Sequence, residues 1–343
     1  MAAVASAGAL PGAPIAPRWI IGRSVDLAFV IGSVAAGYAY LLLYTVAHVP
    51  ISLLWWFWSV GFDGTHIFGT ASRTFFDREA RARNPRLLFG SLLFFFSLGP
   101  ILVLAGGKNF LGLLVGVWAY YHVIRQHYGF MVLYKVKNRD LGRFDSVLDR
   151  VFLGVMMVYP PFHRFFIHHP DELGMHFSFP WLEVPLEVVV AATMIVYLLR
   201  QFVRRRAGER ADVPKYLLLG AVIPLHWFTF AYMSWQAAVP TVTIVHNLQY
   251  HAIIWFHNRN RYAGRDSAGP GRIPTAVSRS LWVYAGVGLA FSLLYRIPGF
   301  ELGRVSDLAF GFFCGFGLTH YYLDSRIWRV RHDPGLREAL ELA

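Results

Sequence analysis

Apolar runs long enough to cross a membrane recur from one end of the sequence to the other. They constrain the fold more than any other feature. Several approach or exceed the ~20 residues that a bilayer-spanning helix needs. Of the 343 residues, 56% are hydrophobic and only 15% are charged. The sequence therefore predicts an all-α protein, a polytopic bundle of transmembrane helices whose first partner is the lipid bilayer.

The runs divide into ten candidate spans, of which the fifth is the weakest because Pro160 and Pro161 interrupt it. The spans cover residues 25–46, 51–70, 87–105, 110–134, 147–166, 182–200, 214–235, 238–257, 277–297 and 305–328. With the N-terminus inside, most of the 32 lysine and arginine residues fall in inside segments. This asymmetry is typical of membrane topology. We therefore expect both termini in the cytoplasm and no binding of nucleic acid, despite the net charge of +12.

The domain organisation follows from the same pattern. We expect a disordered N-terminal tail over residues 1–24, a single transmembrane domain over 25–328 and a cytoplasmic C-terminal tail over 329–343. The only cysteine is Cys314, which excludes an intrachain disulfide, an iron–sulfur cluster and a cysteine-type zinc site. The oligomeric state is left open.

Polar residues interrupt the middle of the eighth span, where His246, Asn247, Gln249, Tyr250 and His251 follow one another closely. A polar cluster at that depth costs several kcal/mol unless the groups are paired or bind something. Three more spans are interrupted in the same way. They carry Asp63 and His66 in the second span, His122, Arg125 and His127 in the fourth, and His320 and Asp324 in the tenth.

These four spans run in the same direction, so the depth of each histidine can be compared. His66, His127, His251 and His320 lie at a common depth of roughly 9–12 Å from the first basic residue at the inner boundary, at about 1.5 Å per residue. His122 and His246 lie about 7.5 Å deeper. We therefore predict a histidine layer that binds a metal ion through members of these six residues.

The supporting residues and the choice of metal follow from chemistry. Asp63 and Asp324 can orient imidazoles through the nitrogen that does not bind metal, and Gln249 and Tyr250 lie beside them. Arg125 is charged at mid-depth and is predicted to pair with Asp63 or Asp324. A site rich in imidazole suits iron, copper or zinc.

The spacing of two histidine pairs limits how many of them can bind one ion. His122 and His127, like His246 and His251, are five residues apart, which places them ~140° apart on an ideal α-helix. Either a π-bulge brings both to one face, or only one of each pair is a ligand. The histidines of the outer loop (His163, His168, His169 and His176) could also bind a metal, but they lie next to water and need no metal to explain them.

The motifs around these histidines resemble those of the Brp/Blh-type membrane β-carotene dioxygenases in their order along the chain. They are T-H-I-F-G at His66, H-Y-G at His127, H-N-L-Q-Y-H at His246 and His251, and T-H-Y-Y-L-D at His320. The resemblance implies that His66, His127, His246 and His251 are catalytic ligands of a non-haem Fe(II), where O2 is activated to cleave a polyene. This chain departs from the family in having Asp63 before its histidine, a wider later pair and a greater length.

The sequence thus predicts an oxygenase of the bacterial inner membrane that acts on a hydrophobic lipid or isoprenoid, such as a carotenoid. A dioxygenase uses both oxygen atoms and needs no external electrons, which fits a sequence without flavin, haem-attachment or iron–sulfur motifs. Three alternatives stay open: a haem protein of electron transfer, a metal or proton transporter lined by histidines, and a structural protein without metal.

Overall fold

The computed structural model describes residues 17–264 and 267–342, and 82% of these described residues are helical, with no β-strand among them. The all-α prediction is confirmed. Ten helices of these residues are long. They are α1 (Arg23–Thr45), α2 (51–73), α4 (Pro85–Leu104), α5 (Lys108–Lys137), α6 (Arg143–Phe162), α7 (Glu183–Arg206), α8 (Val213–Tyr232), α9 (Trp235–Tyr262), α11 (Leu281–Val305) and α12 (Asp307–Ile327). Shorter helices are α3 (Arg78–Arg83), α10 (Arg272–Arg279) and α13 (Pro334–Ala339).

The long helices fall where the ten spans were predicted, but they differ in composition. Within the described residues, five of them are long and apolar enough to cross a membrane: α1, α4, α7 with its leading turn, α8 and α11. The others, except α6, are the helices that carry the predicted histidine layer. Polar residues that lower their hydropathy are buried between neighbouring helices, which is where a polar side chain is tolerated in a membrane.

The helices form an inner and an outer set. In α9 almost every residue from Pro240 to Tyr250 is buried, whereas only 6% of the apolar window of α7 is buried. Large apolar side chains of the outer helices are exposed, such as Leu93, Trp282 and Leu294. Apolar surface on this scale fits contact with lipid.

Glycines allow the closest helix pair, α4 and α12, to approach. A Cβ added at Gly99 would lie 1.9 Å from the carbonyl oxygen of Gly311, and one at Gly311 would lie 2.7 Å from the carbonyl carbon of Gly99. Small residues at helix crossings replace the hydrophobic driving force that lipid does not supply. This contact fixes α12, and with it His320 and Asp324, against the rest of the bundle.

Helix α6 continues through Pro160 and Pro161 instead of ending there. A proline leaves the carbonyl four residues earlier without its helical N–H donor. Trp227 Nε1 donates to the carbonyl oxygen of Met156 at 2.8 Å, and the Tyr120 hydroxyl donates to that of Met157 at 2.7 Å. Both freed carbonyls are therefore satisfied by neighbouring helices, as buried backbone polar groups require.

Both ends of the described chain pack against the bundle. The backbone N–H groups of Ile20 and Ile21 donate to the Asp26 carboxylate at 2.7 and 3.0 Å, and Ile20 is buried. At the other end, α13 lies on α9, where Asn260 Nδ2 donates to the carbonyl of Ala339 at 2.9 Å. Parts of residues 17–24 and 329–342 therefore pack against the bundle. Residues 1–16 and Ala343 lie outside the described residues.

Candidate metal centre

Four histidines from four helices meet in the interior of the bundle: His66 of α2, His122 of α5, His246 of α9 and His320 of α12. One ring nitrogen of each lies within 4.8 Å of those of the other three, and all four residues are buried. We call these four residues the histidine group. The Nε2 atoms of His66 and His320 are 2.7 Å apart, and those of His66 and His246 are 3.3 Å apart.

The hydrogen bond of His66 Nδ1 indicates which ring nitrogen carries the proton. Nδ1 lies 2.9 Å from the carbonyl oxygen of Asp63, which can only accept a hydrogen bond. Nδ1 therefore carries the N–H, because this contact is shorter than the 3.3 Å that separates it from the amide of Asn247. A neutral imidazole has a single N–H. The Nε2 of His66 consequently presents a lone pair to the histidine group.

The proton on His320 is placed by a chain of hydrogen bonds that ends on Asp324. The Thr70 hydroxyl donates to Asp324 Oδ1 at 2.7 Å, and the Tyr250 hydroxyl donates to the same oxygen at 2.9 Å. Thr70 has no second proton, so its oxygen accepts from His320 Nδ1 at 2.7 Å. The Nε2 of His320 is therefore also without a proton.

Two lone pairs thus face each other across 2.7 Å between His66 and His320. Such a contact is repulsive unless a cation, either a proton or a metal ion, lies between the nitrogens. His122 Nε2 adds a buried nitrogen without a hydrogen-bond partner among the described residues, and His246 contributes the Nε2 that lies 3.3 Å from His66 Nε2. Nitrogens bound tetrahedrally at 2.0–2.1 Å would lie about 3.3–3.4 Å apart. The histidine group fits a transition metal ion in its donor atoms and approximately in their spacing.

The local structure of α2 presents His66 to this group. Its π-helical segment Ser59–Asp63 lies between Ile51–Trp58 and Gly64–Arg73. The Ser292 hydroxyl of α11 donates to the Val60 carbonyl at 2.7 Å, and a Cβ at Gly64 would lie 2.0 Å from the Ser292 hydroxyl. Close packing against α11 therefore accompanies the wider helical turn just before His66. Single π-helical turns of this kind occur often at functional sites.

His127 and His251 do not join the histidine group. His251 contacts Thr65 Oγ1 at 3.0 Å and the Tyr284 hydroxyl at 2.8 Å. His127 lies beside His226, with ring centroids 5.7 Å apart. Both α5 and α9 are α-helical at these positions, so residues five apart point in different directions. The histidine group combines two residues from the shallower predicted depth, His66 and His320, with two from the deeper one, His122 and His246. It therefore differs from the predicted layer of four histidines at one depth.

The predicted partners of the carboxylates are corrected in part. Arg125 is exposed over the ring of Tyr128 instead of pairing with a carboxylate. Asp63 forms its ion pair with Arg296 of α11. Asp324 approaches His122 Nε2 at 3.8 Å and reaches His320 through Thr70. Both carboxylates therefore lie beside histidines, as expected, but neither with Arg125.

Gln249 and Tyr250 support the site in different ways. Gln249 Nε2 donates to the carbonyl of Val30 at 2.7 Å, which ties α9 to α1. Gln126 Nε2 of α5 donates to the carbonyl of His246 at 2.8 Å and to Gln249 Oε1 at 3.3 Å. Tyr250 belongs to the hydrogen-bonded chain of Asp324. Thr70, the centre of that chain, was missed, although it lies four residues after His66 on the same helical face.

A second buried polar region lies where α5, α6, α7 and α8 meet, and it consists of opposite charges. We call it the ion-pair cluster, formed by Lys135, Asp140, Asp149, Arg204 and Lys215. Lys215 Nζ lies 2.7 Å from Asp140 and 3.2 Å from Asp149, and Arg204 lies 2.8 Å from Asp140. Lys135 contacts Asp149 directly. Burial alone would raise the pKa of Asp140, but hydrogen bonds from Lys215 and Arg204 outweigh it and lower that pKa to about 2.

No family model, curated protein or solved structure matches this chain. The resemblance in motif order therefore stays a prediction, and the geometry of the histidine group is the main evidence on function.

Proposed function

We propose that this chain is a polytopic membrane metalloprotein that holds one transition metal ion through His66, His122, His246 and His320. We propose further that the ion is non-haem iron and that the protein oxidises a hydrophobic lipid or isoprenoid, such as a carotenoid, with O2. The observation that carries the metal assignment is the 2.7 Å contact between the Nε2 atoms of His66 and His320, whose hydrogen-bond partners place the N–H of each ring on Nδ1.

The residues around the histidine group have defined tasks in this proposal. The Asp63 carbonyl and the chain from Thr70 to Asp324 keep the N–H of His66 and His320 on the far side of each ring. This leaves Nε2 free to bind, as partners of ligating histidines generally do. Tyr250, by donating to Asp324, holds the carboxylate in place. Surrounding helices exclude water and admit a substrate dissolved in lipid.

The ligands alone do not distinguish iron from zinc. The proposed reaction with O2 favours iron. Imidazoles with a nearby carboxylate suit iron, copper or zinc. Ferrous iron, when bound, would bind and activate O2, and the electrons that reduce O2 would come from the double bond of the substrate. The order of the histidine motifs along the chain, which resembles that of the β-carotene dioxygenases, supports this choice and the class of substrate.

The proposed topology is ten crossings with both termini in the cytoplasm of a bacterial inner membrane. Five helices meet the apolar criterion on their own. The other five would cross because their polar side chains face one another inside the bundle. The concentration of lysine and arginine in alternate connecting segments supports this orientation.

The alternative functions fit the geometry less well. Nε2 atoms 2.7 and 3.3 Å apart are too close to lie on opposite faces of a haem. A transporter would need polar groups that continue along the helix, but the Thr241 and Thr243 hydroxyls on the other half of α9 donate to carbonyls of their own helix at 2.8 and 2.7 Å. These observations favour an enclosed site.

The proposal is tested by oxygen consumption. Iron-loaded protein in lipid nanodiscs is supplied with polyenes of different length, and O2 uptake and loss of polyene absorbance are followed together. We expect uptake that depends on both iron and substrate, and that is absent in His246→Ala protein reconstituted in the same way. Iron-loaded protein that consumes no O2 with any polyene would contradict the oxygenase, and a Soret band would favour haem.

A further inference from the structure

We infer that His163, His168 and Glu183 form a second metal site, exposed on the connection between α6 and α7, for a divalent transition-metal ion such as zinc, copper, nickel or iron. We call these residues the loop triad. They lie on different elements from the histidine group, and nothing in the proposed oxidation uses them. The inference therefore stands whether or not the buried site holds iron.

The helical geometry brings the two histidines together. After Phe162 the chain continues as a π-helix over His163–His168. A π-helix bonds residues five apart, so its first and last residues lie on one face, unlike the two histidine pairs in α5 and α9. The Nε2 atoms of His163 and His168 are 3.1 Å apart, with ring centroids 4.4 Å apart.

Glu183, the first residue of α7, supplies the third ligand atom. Its Oε1 lies 3.0 Å from His168 Nε2 and 3.4 Å from His163 Nε2. The three atoms therefore form a nearly equal-sided triangle. Ligand atoms at 2.0–2.1 Å from a tetrahedral ion are about 3.3–3.4 Å apart, so the triangle resembles one face of such a tetrahedron. The side chains of His163, His168 and Glu183 are 33%, 42% and 35% exposed, which leaves the fourth position to water.

The segment that carries the loop triad is held in place by the rest of the molecule. Phe165 and Ile167 within the π-helix are buried. Arg164 donates to Glu172 at 2.7 Å, and the other oxygen of Glu172 accepts from the backbone N–H of Trp235 at 2.6 Å. The histidines are thus presented by an anchored turn. A site whose supporting residues are already fixed needs little reordering when it binds its ion.

A simple ion pair between Glu183 and one protonated histidine is the competing explanation. It accounts for one contact of the carboxylate, but it leaves two Nε2 atoms 3.1 Å apart with a shared carboxylate oxygen. Two imidazoles and one carboxylate suit transition metals such as iron, zinc, copper or nickel and do not suit magnesium or calcium. The difference in metal preference separates the two explanations.

The test measures zinc binding to the whole protein in detergent by equilibrium dialysis, in a His246→Ala background so that the histidine group does not contribute. Three further variants are compared in that background. They are His168→Ala, Glu183→Gln and, as the matched control, His176→Ala on the same loop. Magnesium is the control ion, and the unfolding temperature with and without zinc is the second readout.

We expect one zinc ion per chain at the loop triad and no magnesium. His168→Ala should weaken zinc binding by more than the roughly 10–100-fold that loss of a supporting partner costs, and Glu183→Gln should also weaken it. His176→Ala should bind as its parent does. Zinc should raise the unfolding temperature of the parent and of His176→Ala, but not that of His168→Ala. Equal zinc binding by parent and His168→Ala, or none by the parent, would overturn the inference.

Discussion

The histidine group and the ion-pair cluster are both buried polar regions between helices, but only one of them is complete without a ligand. In the ion-pair cluster Lys215 and Asp149 are 0% and 1% exposed, and each faces an opposite charge. In the histidine group His66 and His320 are each 2% exposed and face each other with proton-free nitrogens. Opposite charges in direct contact indicate a structural role. Lone pairs directed at one point indicate a site for a cation.

The largest effect is expected from substitutions in the histidine group itself. We expect His246→Ala and His320→Ala to lose the metal, because each removes a nitrogen that no neighbouring side chain replaces. His127→Ala and His251→Ala should keep it, since His251 contacts Thr65 and Tyr284 instead. Metal per chain is measured on membrane-inserted, purified protein. Metal retained in His246→Ala, or lost in His251→Ala, would contradict the assignment of ligands.

Breaking the ion-pair cluster should affect stability and not metal. Lys215→Met leaves Asp140 and Asp149 without one of their shared cations, and removing one partner of a buried pair destabilises by about 3–5 kcal/mol. Lys108→Met is the control, because its partner Asp307 is 56% exposed. An exposed ion pair contributes only about 0–1 kcal/mol to stability. Denaturant unfolding in detergent measures both. A Lys215→Met variant as stable as Lys108→Met would remove the distinction between the two regions.

A smaller effect tests the support of the histidine group. Asp324→Asn keeps the size of the side chain but weakens the acceptor at the end of the chain through Thr70. Loss of such a partner costs about 10–100-fold in metal affinity. We expect a weaker affinity with the same metal stoichiometry at saturation. An unchanged affinity, measured by competition with a chelator, would show that Asp324 does not orient His320.

The smallest effect concerns pH and Asp212, which caps α8 beside the ion-pair cluster. Burial raises the pKa of Asp212 from 3.8 to about 6. Between pH 3.8 and about 6 the folded protein keeps a proton that the unfolded chain has lost. This residue therefore lowers the free energy of unfolding as the pH rises through that range. Asp212→Asn should remove that decrease, because an amide oxygen can still accept from the Lys215 N–H.

Asp140 supplies the opposite sign for comparison. The pKa of Asp140 is lowered to about 2. Its charge therefore stabilises the fold above pH 3.8, and this contribution is lost as the pH falls towards the lowered pKa. Asp140→Asn should therefore destabilise the protein at pH 7, where Asp212→Asn stabilises it. The unfolding temperature of both variants between pH 4 and 8 checks this. Equal effects of the two substitutions would be incompatible with their different surroundings.

The sequence predicted the helices well because apolar length alone sets their positions. It could not predict that α6 passes through Pro160 and Pro161, since the donors that satisfy the freed carbonyls, Tyr120 and Trp227, come from other helices. It identified the four helices of the site from their polar interruptions. Burial of polar groups among apolar residues is rare enough to be informative on its own.

The sequence could not show which histidine of each pair faces the site, because this depends on the rotation of each helix about its axis. Depth measured from the first basic residue also assumes equal tilt and equal helix ends. His122 and His246 were placed deeper than His66 and His320, yet the four meet. Thr70 could have been found, since a hydroxyl four residues from a buried histidine shares its face.

The most direct test of the central claim is metal analysis combined with X-ray absorption at the iron edge on protein purified without chelators. The protein carries His168→Ala, so that the loop triad cannot contribute. We predict nearly one iron per chain, bound by imidazole nitrogens at about 2.1 Å, with no Soret band. Absence of any transition metal, or a metal that remains in His66→Ala protein with unchanged spectra, would contradict the claim that the histidine group is a metal centre.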